Sequence, residues 1–123
     1  MPAMQLVPIV FRVPAGITGQ FTGPDVVNQN CSGLRVVLDM TVNAGGLGSV
    51  QLSIQSKDPA SGNYSTILQS AAITTVSTNV LRLFPLAPTS ATSANAALPA
   101  VWRVIVSGNG SPTTYTVGAE MLP

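Results

Sequence analysis

Asp58, Ser61 and Asn63 fall in the stretch SKDPASGNY, residues 56 to 64, the most polar spot on a chain that carries little charge elsewhere. Oxygen-bearing side chains this close together are what a calcium loop uses, but the ion wants about six to eight oxygens and one aspartate with two neutral neighbours falls far short. A turn accounts for the same residues: Pro59 fixes φ for its first corner, Asp58 bonds forward to backbone amides, and Gly62 takes positive φ. Two carboxylates on separate strands, Asp39 and Glu120, are a pair that could share acid and base work on a glycosidic bond if they faced each other. With four acids in the chain, exposed or ion-paired carboxylates are the expected state. Asp39 is expected to pair across its sheet with Arg103 or with a strand beside Arg35. The chain has no histidine, so its many serines lack the usual base, and Cys31, its one cysteine, excludes an internal disulfide. No enzyme activity, cofactor or metal site is expected.

A sugar platform would need exposed aromatic side chains, and the chain has one tryptophan, two tyrosines and three phenylalanines; alternation puts Trp102 on the same face as Val104 and Val106, which assigns it to the core. The elements that would position these residues are short strands. LRVVLDMTV sets Leu34, Val36, Leu38, Met40 and Val42 on one face with Arg35, Val37, Asp39 and Thr41 on the other. SVQLSIQS repeats the period with Val50, Leu52 and Ile54 inward. Residues 57 to 63 turn the chain into YSTILQSAAIT, and NVLRLF follows, ended by Pro85 and Pro88. TSATSANAA is a small-residue loop and the only place for a short helix. VWRVIVS and TTYTVGAEML complete the pattern, the latter with Tyr115, Val117 and Ala119 on one face. The expected core therefore includes Leu38, Leu52, Ile54, Trp102, Val104 and Tyr115. Seven or so short strands with regular turns predict an all-β fold, an antiparallel β-sandwich or jelly-roll-like domain over residues 34–123.

Residues 1–33 read differently. Pro2, Pro8, Pro14 and Pro24 with several glycines interrupt them, which predicts an extended arm with one edge strand, IVFRV. The alternating core begins at Leu34, so removal of residues 2 to 20 is expected to leave the sandwich folded. The start lacks a basic leader, which argues against secretion, and no apolar run approaches the roughly 20 residues a bilayer crossing needs.

Only 7% of the residues are charged, against a typical ~25%, and the net charge is +1. No basic patch exists to draw nucleic acid. A nearly neutral polar surface suits a protein held against neighbours. Val37, Val101 and Ile105 fall on outward faces, where uncovered apolar side chains mark interfaces. These three, with Arg103 beside them and Val7, Ile9, Phe11, Arg12 and Phe21 of the arm, are the expected contacts with another chain.

GLRVVLDMTVNAGGLGSVQLSIQSKDPASGNYSTILQSAAITT and LPAVWRVIVSGNGSPTTYTVGAEML resemble small structural proteins of tailed bacteriophages. The resemblance covers about residues 33 to 122 and is carried by the KDPASGNY hairpin, Leu98-Pro99 leading into the Trp102 strand, and the TYTVG finish. It implies a virion protein on the capsid surface, made in the host cytoplasm. The implied role is a head decoration or cement protein that binds the major capsid protein after expansion, commonly as a trimer, with its arm reaching onto the shell. A minor tail or head-tail joining component is the alternative within that class. A carbohydrate-binding β-sandwich module is the alternative from another.

Overall fold

The computed structural model describes residues 7–12, 16–17, 20–28, 30–109 and 111–123. Among the described residues, eleven strands form two sheets. The first sheet runs in the order β1 (Val7–Arg12), β11 (Thr113–Leu122), β5 (Gly33–Asn43), β8 (Ser77–Phe84), β9 (Ser93–Asn95), with β2 (Gly16–Ile17) also on β11. The second runs β3 (Phe21–Thr22), β10 (Val101–Gly108), β6 (Val50–Lys57), β7 (Tyr64–Gln69), with β4 (Val26–Val27) also on β10. All pairings are antiparallel except β8 with β9. The sheets face each other as a sandwich. The small-residue segment after Pro88 holds no helix: its Ser93–Asn95 stretch adds a parallel strand to β8.

Period-two alternation builds the core. Leu34, Val36, Leu38 and Met40 of β5, Leu81 and Leu83 of β8, and Tyr115 and Val117 of β11 meet Val50, Leu52 and Ile54 of β6 and Trp102, Val104 and Val106 of β10 in one buried cluster. Each such aliphatic side chain contributes about 1.5–3 kcal/mol by leaving water. The parity breaks at one place. Met40 faces Tyr115 across the ladder while Val42 faces Thr114, so Thr41 is an extra residue in β5. That bulge reverses the faces beyond it, and Val42, inward by simple alternation, lies 49% exposed.

The described strands before Gly33 pair with the two sheets. The edge strand expected from IVFRV is β1 on β11, and β2, β3 and β4 add three further short pairings. β7 packs over β8 and β9, so the opposite side of the sandwich, where β1 lies along β11 and β3 and β4 lie along β10, consists of residues before Gly33.

Candidate interaction surface

Gly23 and Pro24 separate β3 from β4, and specific bonds fix where residues 21–32 run against the sheets. The Gly23 amide donates to the Val104 carbonyl at 2.8 Å, and a Cβ at residue 23 would stand 2.8 Å from that oxygen, so only glycine allows the approach. The Asn28 amide bonds Ala100 O at 2.8 Å, while its side chain closes the next turn, accepting from the Cys31 amide and donating to Cys31 O and Leu98 O. Ser32 N then donates to Leu122 O, which returns the chain to the first sheet.

Between β3 and β4, Asp25 reaches across the outer face of the second sheet. The Tyr64 hydroxyl donates to Asp25 Oδ1 at 2.7 Å and Lys57 Nζ to Oδ2 at 3.0 Å. Tyr64 opens β7 opposite Lys57 at the end of β6, which brings both side chains to one spot. Arg103 on β10 lies 3.4 Å from the Tyr64 ring centroid and donates through Nε to Gln55 Oε1 at 2.9 Å. The Tyr64 and Lys57 hydrogen bonds hold the Asp25 carboxyl below its ordinary value, and Asp25 in turn raises the Lys57 ammonium. A guanidinium over a phenol ring, beside half-buried Val101 and Ile105, is a patch of the residue types that anchor interfaces. Val27, paired with Val101 across the β4–β10 ladder, adds an apolar side chain 65% exposed.

The sequence-derived contacts do not share one surface. Val101, Arg103 and Ile105 share this outer face. Val37 lies half-buried on the outer face of the other sheet, so it belongs to a separate surface. Ile9 and Phe21 pack partly buried against the core, which uses part of their apolar area within the chain. Val7, Phe11 and Arg12 lie in β1, and their side chains are outside the described residues. Asp25, Gln55, Lys57 and Tyr64 were not singled out as a group by the sequence, because only the fold brings positions so far apart together.

The 57–63 loop is a turn held by its own side chains. Asp58 accepts from the Ala60 and Ser61 amides and the Ser61 hydroxyl, Gly62 N donates to Asp58 O, and Gly62 sits at φ 78°. The Ser61 hydroxyl, then the two amides, lower the Asp58 carboxyl. Asp58 Oδ1 and Oδ2 are thus occupied by local donors. Asp39 does not reach Arg103, which stands in the other sheet; it accepts from the Thr78 hydroxyl at 3.1 Å. Glu120 pairs with Arg35 at 3.8 Å instead. Trp102, Tyr115, Leu38, Leu52, Ile54 and Val104 are fully buried. Among the described residues, no three His, Cys, Asp or Glu side chains gather as metal ligands.

No family model matches the chain, and no curated protein does. Among solved structures it is similar to one entitled "Structure of infectious bursal disease virus Gt strain", with 9% identity and a TM-score of 0.46 over 97% of this chain. The chain covers 33% of that structure's chain. A likeness at this level carries no argument about function.

Proposed function

We propose that the chain is a bacteriophage virion structural protein, a decoration or cement protein that binds the major capsid protein and stabilises the expanded head. It docks through the side of the sandwich made by its N-terminal segment. The observation that carries this reading is that every described strand before Gly33 lies at a sheet edge, β1 and β2 along β11, β3 and β4 along β10. Edge strands offer backbone donors and acceptors to a partner strand, and Val101, Arg103 and Ile105 on the outer face of β10 border β3 and β4. The phage class itself rests on the sequence resemblance. Repetition over a lattice adds avidity to each modest contact.

The carbohydrate-binding reading needs an aromatic platform in water. Trp102 and Tyr115 are buried, and Arg103 lies over the Tyr64 ring. Hydrogen exchange on the chain alone and on expanded shells tests the docking side. Slowed exchange is expected at amides of Val7–Arg12 and Phe21–Asn28. Protection confined to the β7 and β9 side would overturn the proposed orientation.

A further inference from the structure

The outer face of the first sheet carries a charge pattern that the docking side does not use. Register places Glu120, Arg35 and Arg82 in one row across β11, β5 and β8, and Gly118, Val37 and Val80 in the next outward-facing row. The third row is Thr116, Asp39 and Thr78. Arg35 and Arg82 stand directly opposite each other, and Glu120, 3.8 Å from Arg35, is the one acid in their row. The first row therefore carries one net positive charge, and the third carries the negative charge of Asp39. Between them lies a weakly polar strip, with Val37 and Val80 half-buried and a groove of about 240 Å³ over Gly118.

We propose that this face is a homotypic interface, on which a second copy of the chain stacks about a two-fold axis running across the strands through Val37 and Val80. Rotation about that axis exchanges the two outer rows. Arg35 then faces Asp39 of the second copy, twice over, while valine meets valine at the centre. The other in-plane axis, along β5, sets Arg35 on Arg35 and Asp39 on Asp39, so charge selects the first arrangement. Stacked sheets pack about 10 Å apart, close enough for these side chains to meet.

Four strands about 4.8 Å apart and some eight residues long at about 3.3 Å each give a footprint of roughly 500 Å² a copy. The total of about 1,000 Å² is at the low end for a specific interface, which makes the pair concentration-dependent. The arrangement departs from the threefold association that the sequence resemblance implies. It keeps the axis across the strands, so both N-terminal edges fall on the same side of the pair. The inference does not depend on capsid binding and is tested without shells.

Sedimentation equilibrium of the native chain is expected to show a monomer–dimer equilibrium that weakens with salt. Arg35→Asp or Asp39→Arg alone puts like charges in contact twice and is expected to weaken the dimer at least about a hundredfold. The double variant reverses both rows and is expected to recover it, a result that a generally damaged fold does not give. A chain that stays monomeric at every concentration, a trimer, or a double variant no better than the singles would overturn the proposal.

Discussion

At the scale of single residues, the chain uses its few special side chains for position. Trp102 is fully buried near the start of β10, so Trp102→Ala is expected to cost about 3–5 kcal/mol in chemical denaturation, and an unchanged midpoint would contradict its place in the core. Gly62 has open space around its Cα but φ of 78°, so Gly62→Ala is expected to cost about 1 kcal/mol through backbone strain alone. Asp25 ties the N-terminal segment to Lys57 and Tyr64. Its carboxyl is depressed in the folded chain, so the tie is fully present above the ordinary value of 3.8 and is lost as pH falls through the lower folded value. Proteolysis within residues 20–28 is expected to accelerate under those acidic conditions, and Asp25→Asn is expected to show the faster cleavage at neutral pH as well. Equal cleavage of native and variant chains at neutral pH would show that the tie does not hold the segment.

At the scale of elements, alternation made the long strands legible. Leu34 to Met40, Val50 to Ile54 and Trp102 to Val106 carry their burial in a period of two that needs no partner to be seen. Val42 was not legible, because the bulge that turns it outward depends on how β5 meets Thr114 and Tyr115 of a strand some seventy residues on. The short strands β2, β3 and β4 were not legible either: two residues carry no period, and only hydrogen bonds such as Gly23 N to Val104 O define them. The Asp25, Lys57, Tyr64 and Arg103 cluster was hidden for the same reason, since it is made by register. These pairings alter the expectation for removal of residues 2 to 20. That deletion takes away β1 and β2, uncovers the edge of β11 and removes Ile9 from the core margin. A loss of at least about 1–2 kcal/mol is expected in urea unfolding, and an unchanged midpoint would mark β1 as an appendage.

At the scale of the whole molecule, the sandwich has two sides with different work. The side where β7 meets β8 and β9 closes the core, and the other is finished by the first part of the chain. A nearly neutral surface gives little mutual repulsion, which favours crowding on a repeated lattice. The most direct measurement is co-sedimentation of the purified chain with expanded capsid shells assembled without it, counting copies bound at saturation. Saturation is expected at a fixed number per capsomer, with the decorated shells surviving harsher heating. Absence of binding, or binding that never saturates and leaves the shells' heat tolerance unchanged, would contradict it.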